Sequence, residues 1–233
     1  MTNPAETVAV LCSGGLDSVV LVAHVAQEAS VLPVYVSEDL AWEATERAAL
    51  ERLAQTPVFG GRVRPLVTLS LTMTDVYPPT HWAVRGTAPA YDTPDEDVYL
   101  VGRNITLLTK AAVLCVREHI HRIAIGPLAG NPFPDATPAF FVAMGHALSL
   151  GLDHAVQITA PFATLHKAEV IKRGVELGVP MELSLSCMSP AGGMHCGTCS
   201  KCRERRDAFE EAGIPDPTRY AAPSPRGSKA TRP

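Results

Sequence analysis

The chain has 233 residues, 46% of them hydrophobic and 19% charged, with a formal net charge of −4. That is enough apolar material for one full α/β domain plus a small appendage, and too much for a chain that stays unfolded over most of its length. The mildly acidic balance argues against a broad nucleic-acid footprint and leaves room only for a local basic patch.

Met1-Thr2-Asn3-Pro4-Ala5-Glu6 lacks the basic start and long apolar run of a signal peptide. Residues 7–12 are a short β-prone run that stops at a glycine pair, and residues 18–26 are apolar on most faces, as a helix buried against a sheet would be. That apolar run is too short to span a bilayer. A second strand is expected over residues 31–36, a helix over 43–55 and a third strand over 66–69. Between residues 75 and 97 the chain is rich in Pro, Thr and aromatics, which reads as a long active-site loop. A helix over 106–121 leads to a strand over 123–126. A second loop, 127–138, precedes a helix over 139–150, then a strand over 155–159. The helix over 167–177 is ended by Gly178 and Pro180, and residues 200–212 form a last helix stopped by Gly213.

Strands alternating with helices imply an α/β fold, a Rossmann-like parallel sheet covered on both faces, with ligands beyond the carboxyl ends of the strands. The division expected is a nucleotide-binding domain over 1–185, a small C-terminal module over 186–220 and a disordered tail over 221–233, whose PSPRGSKATRP lacks large apolar residues.

Two motifs carry chemistry. Cys187, Cys196, Cys199 and Cys202 are four of the six cysteines, the last three separated by two residues each. Thiolates at that spacing can converge on one tetrahedral ion at about 2.3 Å, and four of them leave no open position, so a structural zinc site is expected. His195 abuts Cys196, but adjacent residues rarely bind one ion, and the four-cysteine set is preferred. Clustered cysteines with no export signal read as reduced thiols in a cytoplasm. Cys12 and Cys115 read as packing residues.

The second motif is Ser13-Gly14-Gly15-Leu16-Asp17-Ser18. It lacks the Gly-Lys-Ser/Thr ending of a Walker loop. Its glycines let backbone N–H groups approach an anion, the following helix adds its positive end, and Ser13 and Ser18 offer hydroxyls. Asp17 beside phosphates is repulsive unless it holds Mg²⁺ or caps the helix.

Through this loop and the cysteine set the chain resembles the ATP-pyrophosphatase superfamily and, within it, the 7-cyano-7-deazaguanine synthases, queuosine-pathway ligases that convert 7-carboxy-7-deazaguanine to the nitrile. The likeness runs through Gly102-Arg103-Asn104, Gly126, Ala160-Pro161-Phe162, His166-Lys167-Ala168-Glu169, Ser186-Cys187 and Cys196-Gly197-Thr198-Cys199-Ser200-Lys201-Cys202 with Arg205 behind it. The resemblance implies a fold of the adenine nucleotide alpha-hydrolase type. It implies ATP with Mg²⁺ as co-substrate on Ser13, Gly14, Gly15, Leu16, Asp17 and Ser18, with Asn104 and Gly126 alongside. Asp17, Lys167 and Arg103 are implied near the reacting groups, Phe133 and Asp135 at the substrate, and Cys187, Cys196, Cys199 and Cys202 on zinc. Partners implied are a purine acid and ammonia, with a homodimer as the assembly common among relatives, and no membrane.

Two segments depart from the pattern. Members of that family usually carry an aromatic-Gly-Gln segment after the second strand, where this chain has Ser37-Glu38-Asp39-Leu40-Ala41-Trp42-Glu43. In the substrate loop, Phe133-Pro134-Asp135-Ala136-Thr137 keeps Pro-Asp and loses a following Cys-Arg. An arginine there could hold a carboxylate bidentately, and Arg85 is a candidate substitute. Two further readings therefore stay open: an adenylating ligase acting on a different acid or a macromolecule, and a tRNA-modifying enzyme with the same phosphate loop. Every Cys-x-x-Cys is committed to the expected zinc, and the acidic balance weighs against tRNA. Trp42, Trp82 and Tyr91 can stack a purine or serve as loop anchors.

Overall fold

The computed structural model describes residues 6–225. Five parallel strands, β1 (Thr7–Leu11), β2 (Ser30–Ser37), β3 (Val67–Ser70), β4 (Arg122–Ala124) and β5 (Gln157–Thr159), lie in the order β3-β2-β1-β4-β5. The parallel α/β sheet is the one the alternation of elements implies. β1 over residues 8–11 and β2 over residues 31–36 are continuous apolar runs, Pro33 and Tyr35 included, because helices cover both faces and neither side is left for polar residues. The order reverses between β1 and β4, so their connections leave to opposite sides and a crevice opens past Leu11 and Ala124.

On one face α1 (Leu16–Val25), α6 (Lys167–Glu176) and α7 (Ser200–Ala212) pack Val19, Leu21, Ile171 and Phe209 against Val8 and Val10. α6 comes close to α1 through Gly174, where a Cβ would run into Met181 and Val20. The other face carries α4 (Arg103–Glu118) and α5 (Pro138–Leu152), with Leu108, Cys115 and Phe141 against Ala9 and Leu32. Truncating a wholly buried side chain such as Phe209 to alanine would cost about 3–5 kcal/mol.

A third apolar cluster lies beyond the sheet. There α2 (Glu43–Leu53) and the segment 71–100 pack Trp42, Met73, Tyr77 and Leu100 together with Leu185, Cys187 and Cys199. The expected loop over 75–97 contains a short helix, α3 (Trp82–Arg85), started by His81 Nδ1 accepting from Ala83 N and closed by Gly86 at φ +74°, and a 3-10 turn over Asp95–Val98. Its aromatics fold it onto the body. α4 begins at Arg103 rather than 106, because Gly102 adopts φ +78° and Asp135 takes up the N–H of Asn104. Of the expected tail, Ala221 and Ala222 donate to the carbonyls of His195 and Cys196, and Ser224 Oγ donates to Tyr91 at 3.0 Å. Residues 226–233 lie outside the described residues. Among the described residues no helix is long and apolar enough to cross a membrane.

Candidate active site and metal centre

The phosphate loop follows directly from the end of β1. Cys12 N donates to Val34 O at 2.9 Å, which keeps the chain in the sheet until Ser13. Gly14 then takes φ +79°, and a Cβ there would sit 3.1 Å from Leu50, so only glycine turns here without strain. Gly15 is extended and α1 starts at Leu16 without a side-chain cap, leaving the N–H groups of its first turn for a ligand. Ser18 Oγ donates to Gly15 O at 2.9 Å and lies 3.4 Å from Ser13 Oγ, which orients both hydroxyls.

Asp17 is not the cap of α1; it lies inside the first turn. Its Oδ2 is 3.2 Å from Lys167 Nζ, and its Oδ1 is buried without a hydrogen-bond partner. Lys167 opens α6 and also pairs with Glu204 of α7, whose other oxygen accepts from Lys201 at 2.6 Å. Burial opposes the charge on Lys167, but Asp17 and Glu204 outweigh it and hold the pKa above its usual value. Burial likewise opposes ionisation of Glu204, and its two lysines outweigh that, bringing it down to about 2.

The opposite wall is built on Arg103. Its Nε donates to Glu38 Oε2 at 2.9 Å, Thr106 Oγ1 donates to Glu38 Oε1 at 2.8 Å, and the guanidinium lies over Trp42 at 5.8 Å. Glu38 follows β2 and is wholly buried, so it supplies a partner this arginine needs. Glu43 accepts from Glu38 N and Ser37 Oγ. Glu46 accepts from Tyr35 at 3.0 Å; burial pushes its carboxyl up to about 7, although Arg103 and the Tyr35 hydroxyl pull the other way. Asn104 donates its N–H and its Nδ2 to Asp135, each at 3.0 Å, so Asp135 caps α4 and ties it to the second loop.

Between the walls lies a cavity of about 660 Å³, the size of a small-molecule site. Gly126 lines it near Leu21, and two aromatic pairs flank it. Trp42 stacks on Trp82 at 5.5 Å, and Tyr99 on Phe133 at 4.9 Å. The structure thus brings Ser13, Gly15, Asp17, Ser18, Arg103, Asn104, Gly126, Phe133, Asp135 and Lys167 to one cavity. Gly14 shapes the loop from behind. Arg85 closes α3 and is not among the side chains at the cavity. Arg203 is, and it donates to Thr93 O at 3.3 Å.

The sulfur atoms of Cys187, Cys196, Cys199 and Cys202 lie within 4.8 Å of one another and can hold a metal ion. Separations of 3.9, 3.9 and 3.5 Å between neighbouring pairs approach the roughly 3.8 Å edge of a tetrahedron with 2.3 Å bonds. Backbone N–H groups of Ser189 and Cys196 point at Cys187, and that of Gly197 at Cys202, as anionic sulfurs require. His195 is engaged elsewhere: its Nε2 accepts from Ser186 N at 3.1 Å, and burial lowers its pKa to about 4.

Glu38 and Glu204 are among the site members that the sequence did not single out. Glu38 stood out only as a departure from the expected aromatic-Gly-Gln segment. Glu204 gave one usable signal, a carboxylate on the helix that leaves the metal site, three residues after Lys201 and on the same face.

The family model described as "Queuosine biosynthesis protein QueC" matches residues 7–213. Among curated relatives, the 7-cyano-7-deazaguanine synthase of Methanopyrus kandleri is 35% identical over 92% of this chain and 98% of its own length. That of Methanothrix thermoacetophila is 33% identical over 90% and 96%, and that of Anaeromyxobacter dehalogenans 33% over 94% and 98%. With a match that spans both the phosphate loop and the cysteine cluster, the chain belongs to the family of queuosine biosynthesis protein QueC.

Proposed function

We propose that this protein is an ATP-dependent C–N ligase that converts 7-carboxy-7-deazaguanine and ammonia to 7-cyano-7-deazaguanine. Family membership supports the reaction, and one observation carries the chemistry: Lys167 and Asp17 meet at the open first turn of α1, above the cavity. ATP phosphates fit that N-terminus, with Ser13 and Ser18 as hydroxyl donors. Mg²⁺ has a ligand in Asp17, whose unpartnered Oδ1 is otherwise an uncompensated buried oxygen.

The conversion removes both oxygens of a carboxylate. ATP first turns one oxygen into a phosphoryl or adenylyl leaving group, and ammonia displaces it to give the amide. A second activation, at the amide oxygen, lets it leave as the C≡N bond forms and the nitrogen gives up its protons. Each transfer builds negative charge on the leaving oxygens, which Lys167 and the N–H groups of α1 stabilise. The loops carrying Trp82, Tyr99 and Phe133 shield the activated carbon from water, and their stacked rings suit a planar purine. Zn²⁺ suits the all-thiolate cluster and has a structural role there. A cytoplasmic enzyme fits the reduced thiols.

A second reading, the same activation aimed at another carboxylate, is favoured by one observation. Asp135 is already committed to Asn104, and Ala136 and Thr137 follow it where the resemblance implies Cys-Arg, so no arginine stands there for a carboxylate. Turnover of the purified protein with ATP, Mg²⁺, ammonium and 7-carboxy-7-deazaguanine, followed by mass, separates the two. Nitrile formation establishes the first reading; ATP binding without conversion of the purine moves the acceptor elsewhere.

A further inference from the structure

The phosphate loop and the metal module meet at two points. Leu185, two residues before Cys187, donates its N–H to Gly14 O at 2.8 Å. Glu204, two residues after Cys202, reaches Lys167, whose other carboxylate partner is Asp17. α7 is itself anchored: Arg205, wholly buried, donates to Ser184 Oγ at 3.0 Å, Ser186 Oγ at 3.2 Å and Met181 O at 2.8 Å. Glu204 therefore projects from a helix fixed at its start by Cys199 and Cys202 and in its first turns by Arg205.

A carboxylate in this place is electrostatically costly for the reaction assigned to the site. ATP brings several negative charges to the first turn of α1, and Asp17 already stands there. By Coulomb's law alone a second carboxylate nearby weakens nucleotide binding. Its other effect is geometric. Lys167 has a long stem with many rotamers, and with Asp17 as sole partner its ammonium would swing along that carboxylate. Two carboxylates on different helices fix Nζ in one position, with part of its hydrogen-bonding capacity left for a phosphate oxygen.

We infer that Glu204 is a positioning residue that holds Lys167 for phosphate transfer, which makes the metal module a working part of the nucleotide site as well as a staple. The inference rests on the ATP chemistry proposed above. Lys201 donates to the other oxygen of Glu204 at 2.6 Å and aims it from the same helix, and its own second contact is Asp95 at 3.9 Å, on the loop that roofs the cavity. One chain of alternating charges thus runs from the roof through α7 to the phosphate loop. Its members come from four separate segments, so its order depends on the metal module being folded.

The test is a double-mutant cycle of wild type, Glu204→Gln, Lys167→Ala and the double variant, each checked for zinc content and Tm. Affinity for a non-hydrolysable ATP analogue with Mg²⁺ is measured by calorimetry, which needs no acceptor acid. With Lys167 present, Glu204→Gln is expected to weaken binding by about tenfold; with Lys167 absent, the same change relieves repulsion and leaves affinity equal or higher. Where the wild type turns over, Glu204→Gln should lower kcat by more than it changes KM for ATP. Equal effects of Glu204→Gln in both backgrounds, at wild-type zinc content, would overturn the inference while leaving the ligase reading intact. A wild-type protein that binds no ATP analogue would overturn both.

Discussion

Leu185 N and Gly14 O are 2.8 Å apart, so the tightest turn of the phosphate loop is hydrogen-bonded to the segment that enters the cysteine cluster. Gly14 is held from behind by Leu50 and from this side by Leu185. The loop's shape therefore depends on a part of the chain some 170 residues away in sequence. The consequences are testable.

Removing the metal should act on the nucleotide as well as on the fold. Strong chelation is expected to lower Tm by roughly 10 °C or more, since a site of this kind exists only when the metal is bound. Affinity for the ATP analogue should fall over the same titration, because Leu185 and Glu204 lose their anchor. Calorimetry with parallel metal analysis reads both, and an unchanged Tm after complete metal loss would contradict the structural metal.

Asp17→Asn should separate chemistry from stability. The side chain is partly exposed and caps nothing, so Tm should move by no more than about 4 °C. Turnover should fall by about 100-fold or more, the scale lost when one charged contact to a transition state is removed. Steady-state kinetics with saturating Mg²⁺ decides it; turnover equal to wild type would contradict the role given to Asp17.

Arg103 and Glu38 form a different kind of pair. Glu38 has no exposed surface, and Arg103→Met would strand its charge in the interior. The expected cost is about 3–5 kcal/mol, with part of it recovered when Glu38→Gln is added. Denaturant unfolding of the single and double variants measures this directly. If the double variant is no more stable than Arg103→Met, the stranded charge is not the cause.

Glu46 gives the site a pH signature. Its carboxyl is pushed up to about 7 by burial, from an ordinary value near 4.5. The folded state therefore binds the proton more tightly than the unfolded chain, and stability falls as pH rises from about 4.5 through 7. His195, lowered to about 4, works in the opposite sense. Glu46→Gln removes only the first contribution. The variant should gain stability over wild type between pH 5 and 8, a gain that grows with pH, while Tyr35 keeps a hydrogen-bond acceptor. A Tm difference independent of pH would show that Glu46 does not titrate in this range.

Much of the fold was legible because its signals are local. The alternation of apolar runs and amphipathic segments determined the parallel sheet, and α7 falls on residues 200–212 as its pattern and Gly213 predict. The same holds for the cysteine cluster, where spacing alone brings Cys196, Cys199 and Cys202 together, and for the glycine loop at the end of β1. The segment over 75–97, expected as a long active-site loop, does reach the cavity through Trp82 and Asp95, but it also contains helical turns that the sequence did not announce. Its short helix and turn are held by burial of Tyr77, Ala83 and Val98, contacts that no local pattern announces.

What the sequence by itself determined is the set of strands and helices, the ligands that spacing can gather and the loop that glycine permits, since each depends on residues a few positions apart. The tertiary structure alone decided which charges meet. Lys167 finds Asp17 and Glu204 because the sheet order places α1, α6 and α7 on one face. Arg103 finds Glu38 because β2 ends beside α4. Ion pairing acts over a few ångströms in space and carries no signature along the chain, so these partners emerge only once the core has packed.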